Sequence, residues 1–221
     1  MKIYVTDTET TDLSDDRGVV EVAWVELLYN EEFNEYYLGE SESFLVNPEK
    51  TISQEAAAIH GIRNSDITPD LPTLAEVPLP QEPCIFVAHN AEFDLHTLRP
   101  YMNVEASLCT LQLSRRLISG SESHQLGTLA AHCNLSRQLS HRASGDIINC
   151  AELLMWVLSR NNMTVESAID FLAKPWVFNK MPFGKHKGKN FSDVPSGYLH
   201  WLSEQDLDAD TRTTLDYWRK M

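Results

Sequence analysis

Short runs of β-branched and aromatic residues open the chain, and helical spacings follow them. Residues 2–6, 19–28 and 36–46 read as strands, the last two joined by the polar, hairpin-like stretch 29–35. Ser53 is placed to cap a helix running through residue 59, after which Gly61 and the proline-rich stretch 68–83 make an extended loop. Residues 84–88 form a short, continuous apolar run of the kind that a buried strand shows. Helical patterns then recur at 91–98, 108–118, 126–133 and 147–158; in the last of these, Ile147, Ala151, Leu154 and Leu158 share one face. A further helix is predicted over 164–173, with Thr164 as its cap and Val165, Ala168, Ile169 and Leu172 on one side. Strands come first and helices follow, with one strand between them. That order predicts an α/β fold, a mixed sheet flanked by helices, and excludes an all-helical bundle or a β-sandwich.

The character changes at Pro175. A Gly- and Lys-rich turn lies between Phe183 and Phe191, then Tyr198, Trp201 and Leu202 fall at helical spacing, and another helix starts at Asp210 with Leu215 and Trp218. Two domains are therefore expected, residues 1–174 and a small α+β domain at 175–221. With 221 residues, 43% of them apolar, there is material for one or two real cores. No apolar run approaches the ~18 residues of a membrane span, and the first seven residues are too short and too charged for a signal peptide, so a soluble cytoplasmic protein is expected. Cys84, Cys109, Cys133 and Cys150 form no C-x-x-C pair and read as buried free thiols.

The net charge of −14 argues at first against a phosphate-bearing partner, because such partners are held by Lys and Arg. The distribution alters that. Residues 1–100 carry 5 basic and 20 acidic side chains, whereas residues 101–221 carry 13 basic and 12 acidic ones. Within the second half Lys174, Lys180, Lys185, Lys187 and Lys189 cluster with no acid among them.

Three short segments hold the candidate chemistry. Asp7 and Glu9, two apart at the end of the first strand, point to the same side. His89-Asn90-Ala91-Glu92-Phe93-Asp94 follows the buried strand at 84–88 and puts Asp94 about one turn into a helix, near a strand's carboxyl end where α/β sheets place their sites. His141-Arg142-Ala143-Ser144-Gly145-Asp146 precedes the helix at 147–158. At about 100° per residue His141 and Asp146 would diverge on one helix, so they converge only if His141 sits in the preceding loop. Each segment alone also fits an ordinary surface: a solvated strand end, a helix cap, a loop histidine. A zinc set of His132, Cys133 and His141 has no usual spacing.

Together, in the order Asp-x-Glu, Asp, His, Asp, the segments resemble the three motifs of the DEDDh (DnaQ-like) 3′-5′ exonucleases. Val20-Glu21-Val22-Ala23, Ile59-His60-Gly61-Ile62 and Cys109-Thr110-Leu111 are similar to supporting stretches of that family. The chain length and the tail segments Phe183-Gly184-Lys185-His186-Lys187-Gly188-Lys189, Asp193-Val194 and Tyr198-Leu199-His200-Trp201-Leu202 narrow the resemblance to one exodeoxyribonuclease branch.

The resemblance implies an RNase H-like fold and release of 5′-mononucleotides from DNA 3′ ends, in DNA repair or end processing. It implies two divalent cations per site, Mg²⁺ or Mn²⁺, held by Asp7, Glu9, Asp94 and Asp146, which are hard oxygen donors suited to those ions. His141 would take a proton from the attacking water. Substrate contact is carried over to Thr8, Thr10, Leu13, His89, Asn90, Phe93 and Arg142. Leu13 either packs on the terminal base or at a duplex end, or is a buried loop leucine. The expected partner is a DNA 3′ end, single-stranded or duplex, with no membrane; a homodimer is left open. Two alternatives stand beside this reading: an RNA 3′-5′ exonuclease of the same superfamily and a non-catalytic nucleic-acid-binding module.

Two features depart from the family or extend it. Asp12 stands where the family often has Gly, and Asp is tolerated in the left-handed conformation better than most residues. Beside Asp15 and Asp16 it adds negative charge near the expected DNA path, which Arg115, Arg116, Arg137 and Arg142 would offset. In the tail, the lysines with Trp176, Phe178, Phe183 and Phe191 either contact nucleic acid or supply a small core and its solubility.

Overall fold

A computed structural model of the protein describes residues 1–136, 141–174, 176–205, 207 and 209–220. Five strands form one sheet: β1 (Lys2–Thr10), β2 (Val19–Asn30), β3 (Glu35–Leu45), β4 (Cys84–Ala88) and β5 (Val104–Cys109), in the order β3-β2-β1-β4-β5. β1 pairs antiparallel with β2 and parallel with β4, so the sheet is mixed as expected. The helices of the larger unit are α1 (Gln54–His60), α2 (Ala91–Leu98), α3 (Thr110–Leu117), α4 (Leu126–His132) and α5 (Ala143–Asn161). α6 (Val165–Ala173) follows them.

Alternation along β1 assigns the two sides of the sheet. Tyr4, with Val22, Trp24, Cys84 and Phe86, packs in one core with Ala91, Leu95 and Leu98 of α2. Asp7 and Glu9 fall on the opposite side from Tyr4, and α5 lies against β1, β2 and β3. Its residues Ile147, Ala151, Leu154 and Leu158 are buried, as their spacing predicts. α1 starts where expected: the Ser53 hydroxyl accepts the Ala56 N–H, and Gly61 ends the helix with φ 77°.

Three differences from the sequence reading bear on the site. β1 runs to Thr10, four residues further than predicted, so Asp7 and Glu9 are part of the strand itself. The segment predicted as helix from 108 begins instead as β5, an edge strand in which exposed Glu105 and Ser107 alternate with half-buried Val104 and Ala106. The helix predicted from 147 starts at Ala143, because the buried carboxylate of Glu21 accepts the Ala143 N–H at 2.9 Å and caps that turn.

The chain divides into two compact units, residues 1–169 and 170–221, the division falling inside α6. The smaller unit joins a Lys180–Asn190 bridge, a 3₁₀ turn at Phe191–Asp193, α7 (Ser196–Ser203) and α8 (Ala209–Trp218) around Met181, Phe191, Val194, Leu199, Leu202 and Leu215. Among the described residues no helix is long and apolar enough to cross a membrane. The four cysteines are free; Cys84, Cys133 and Cys150 are buried and Cys109 is half-buried.

Candidate active site

The ends of β1 and α5 bring three carboxylates together. Oxygens of Asp7, Glu9 and Asp146 all lie within 4.8 Å of one another, and among the described residues no other group of His, Cys, Asp or Glu side chains is clustered in this way. The strand pleat sets the first two on one side, and the early start of α5 puts Asp146 in its first turn.

Asp94 comes from the neighbouring strand's end. Asn90, in the left-handed region at φ 79°, turns the chain from β4 directly into α2, a conformation that Asn tolerates. Asp94 is thereby buried, and its Oδ1 accepts both the Thr8 N–H at 3.0 Å and the Thr8 hydroxyl at 2.7 Å. One carboxylate oxygen is thus tied to β1, between Asp7 and Glu9. His141 sits in the loop before α5, at φ 63°, and its backbone N–H donates to Asp146 Oδ2 at 2.9 Å. Its ring is exposed, the loop placement that convergence with Asp146 requires.

Electrostatics here favour added positive charge. Burial, then the nearby charges of Asp94, Glu9 and Asp146, push the Asp7 carboxyl well above the ordinary range. Burial and then Asp146 and Glu21 raise Glu9 to about 8. Burial raises Asp94 to about 7 against the lowering pull of its Thr8 bonds, and burial also raises Asp146. At an effective dielectric of ~20, two carboxylates ~5 Å apart repel by roughly 3 kcal/mol. The folded state therefore holds protons that the unfolded chain has already released. The cluster's contribution to the stability of the metal-free protein is fully present below the ordinary carboxylate pKa values and is lost as pH rises from about 4 towards 8. The melting temperature without divalent cation should drop over that window, by about 2–4 °C for each kcal/mol lost, and millimolar Mg²⁺ at pH 8 should restore it. Thermal melts at several pH values with and without Mg²⁺ check this; a flat profile would contradict it.

A family model described as an exonuclease matches residues 4–154. The chain belongs to this exonuclease family. The exonuclease is 32% identical over 227 residues to exodeoxyribonuclease 10 of Escherichia coli (strain K12), with 98% of each chain covered. It matches the structure of exonuclease X in complex with 5′ overhanging duplex DNA at a TM-score of 0.64 and 30% identity, over 76% of this chain and 98% of that one. The zinc-bound form of an E. coli exonuclease I complex with single-stranded DNA shares the fold at a TM-score of 0.58 and 18% identity, over 78% of this chain and 42% of that one. A model described as "Putative quorum-sensing-regulated virulence factor" matches residues 173–210. The branch that the tail segments resemble is thus that of exonuclease X, and the mixed sheet flanked by helices is the RNase H-like fold expected of it.

The exonuclease places the expected substrate contacts unevenly. Leu13 is 80% exposed, so the buried-leucine alternative is excluded. With Ile59, itself 56% exposed, and Phe93, it lines a cleft of 390 Å³ that also touches Thr8, Glu9 and Thr10. Asn90 is exposed, but its side chain makes no capping bond. The Thr8 and Thr10 hydroxyls point inward, to Asp94 and to the Asp12 carbonyl.

Two of the expected contacts are occupied inside the protein. His89 Nε2 faces the His124 carbonyl at 2.9 Å and so carries the proton, leaving Nδ1 to accept the Thr110 hydroxyl at 2.9 Å. Burial lowers its pKa to about 4, so the ring is a neutral strut between β4 and α3. Arg142 is the other. Its Nη2 and Nε donate to the two oxygens of Glu21 at 2.7 and 3.0 Å, a bidentate pair that uses two of the five guanidinium N–H donors and ties the side chain to β2. Arg137 lies outside the described residues.

Asp12 also differs from expectation. It is not among the residues of positive φ; its carboxylate instead accepts the Ser14 N–H at 2.7 Å and the Thr11 hydroxyl at 3.0 Å, a local turn that needs no glycine.

Sequence reasoning missed the residues that hold the cluster from behind. Glu21, 2% exposed, links β2 to the start of α5. His60 is buried with Nε2 3.3 Å from the Thr10 carbonyl and Nδ1 accepting the Ile62 N–H, which fixes the end of β1. Arg17 stacks 4.0 Å over the Phe93 ring and donates to the Phe93 carbonyl, pinning the loop after β1 to α2. Glu21 and His60 each lie within a stretch that resembles the family, which is a signal of location but not of role. Arg17 carried no signal.

Proposed function

We propose that this exonuclease removes 5′-mononucleotides from the 3′ ends of DNA, using two divalent cations, Mg²⁺ or Mn²⁺, held by Asp7, Glu9, Asp94 and Asp146. The observation that carries the reading is the convergence of Asp7, Glu9 and Asp146 within 4.8 Å beside the anchored Asp94. The donors fit such ions: all are hard carboxylate oxygens, no sulfur or imidazole nitrogen joins the group, and their raised pKa values mark charge that a cation would neutralise. Bound there, the cations supply the positive charge that phosphodiester hydrolysis needs at phosphorus and at the leaving oxygen.

The chain's own residues do the rest. Asp94, held by two bonds from Thr8, gives a carboxylate of fixed orientation. His141 presents its imidazole from the loop whose backbone is tied to Asp146, and takes the proton from the attacking water. Leu13, Ile59 and Phe93 offer an apolar wall on which the terminal base packs. Leu13→Ser should raise KM for a DNA oligonucleotide about tenfold and leave kcat nearly unchanged, as steady-state kinetics would read.

Similarity to an exodeoxyribonuclease over 98% of the chain supports DNA over RNA, and the role we propose for such trimming is DNA repair or end processing. Oligonucleotides labelled at one end test the direction. With Mg²⁺, a 3′ label should leave at once as a mononucleotide, while a 5′-labelled strand shortens stepwise. Immediate release of the 5′ label would reverse the polarity, and faster trimming of RNA of the same sequence would favour the RNA reading.

A further inference from the structure

The unit formed by residues 170–221 carries a surface that hydrolysis at the carboxylate cluster does not require. Residues 180–190 fold back on themselves: the Met181 N–H donates to the Lys189 carbonyl and the Gly188 N–H to the Met181 carbonyl, both at 2.8 Å. Gly184 at φ 73° and Gly188 at φ 82° make the turns. A side chain at Gly184 would meet the Tyr198 hydroxyl at 2.7 Å, so this loop is closely seated on α7.

The loop displays Lys180, Lys185, Lys187 and Lys189, all exposed, and none has a salt-bridge partner among the described residues. His186 between them has a lowered pKa, from desolvation and then from Lys189 and Lys185, the direction that neighbouring positive charge gives.

Aromatic rings continue from the loop. His186 meets the Tyr198 ring edge-on at 4.5 Å, and Tyr198 lies 5.3 Å from Trp201, which is 50% exposed. These are not the aromatics that sequence reasoning chose for stacking. Phe191 is 1% exposed, and Phe178 and Phe183 pack against the same small core. The core therefore accounts for those three rings but not for Trp201, nor for the exposed lysines of the loop, which is linked to Trp201 through Tyr198.

We propose that Lys185, Lys187, Lys189 and Trp201 form a binding face for single-stranded DNA, with phosphates on the lysines and an unstacked base on the Trp201 ring. A duplex hides its base faces, so a flat exposed ring beside cations selects a single strand. Simple attraction to polyanions would need the lysines and not the ring. Such a second contact on the same chain raises the local concentration of strand ends at the catalytic unit.

The test uses the full chain in chelator, so that no hydrolysis occurs, and follows anisotropy of a fluorescent oligothymidylate between 50 and 200 mM salt. Lys185→Glu, Lys187→Glu and Lys189→Glu combined should weaken binding at least tenfold and flatten the dependence of log K on log salt by about 2, near 0.7 for each phosphate no longer neutralised. Trp201→Ala should weaken oligothymidylate binding about tenfold, Trp201→Phe should retain most of it, and heparin binding should be unchanged in both. Wild-type affinity in the triple variant would overturn the proposal. So would equal loss of heparin and oligothymidylate binding in Trp201→Ala, which would mean the ring only supports the fold. Mg²⁺-dependent cleavage of a chromogenic nitrophenyl ester of thymidine 5′-monophosphate, too small to need a second contact, should stay at the wild-type rate in every variant.

Discussion

Asp7→Asn is expected to abolish hydrolysis and to stabilise the metal-free protein. Both effects follow from one carboxylate. Asp7 is pressed by burial and by Asp94, Glu9 and Asp146, so an uncharged amide of the same size relieves repulsion in the folded state. The melting temperature in chelator at pH 8 should therefore rise. Without that oxygen the cluster no longer holds its cations in register, and the several kcal/mol of transition-state stabilisation they give corresponds to about 10³-fold or more in rate. Stabilisation by Mg²⁺ should shrink with it. A variant that kept wild-type turnover, or that melted lower without metal, would remove Asp7 from the site.

Arg142→Ala should lower stability and activity together. It leaves the Glu21 carboxylate 2% exposed with only the Ala143 N–H and a long contact from Ser43. Removing this partner should cost about 1–3 kcal/mol, less than for a fully buried pair because the Arg142 side chain is 45% exposed. Because Glu21 also caps the turn that carries Asp146, turnover should fall about 10–100-fold, the range seen when supports of metal ligands are removed. Adding Glu21→Gln to Arg142→Ala should recover much of the stability, since the unpaired charge is gone. Chemical denaturation of the single and double variants reads this. An arginine whose role was to hold a DNA phosphate would instead raise KM and leave the unfolding midpoint where it was.

The contrast between these two residues also marks what the sequence makes legible. Asp7 and Glu9 are readable because strand alternation fixes their shared side whatever else the fold does. Ser53 and Thr164 are readable as caps for the same local reason, and both make bonds to the N–H three residues on. The helix starting at Ala143 is set by Glu21, 122 residues away, and no local pattern contains that partner. β5 was hidden because Val104, Ala106 and Leu108 run straight into a helical spacing from Thr110, and pairing with β4 decides the state. Likewise, His89 looks like a substrate contact in its motif, and only tertiary partners show both of its ring nitrogens to be used; Arg142 is tied by two of its five N–H donors to Glu21, which its motif does not contain. The composite motif thus marks the segments whose carboxylates the fold brings together, while the residues that hold them from behind depend on partners distant in sequence.

The centre of the proposed mechanism is that carboxylates of β1, α2 and α5 act through divalent cations to hydrolyse the DNA chain end. Release of mononucleotides from one unblocked DNA oligonucleotide, followed first in chelator and then after excess Mg²⁺ is added, tests it most directly. No release is expected in chelator, and steady release is expected after Mg²⁺. Release that continues undiminished in chelator would contradict it.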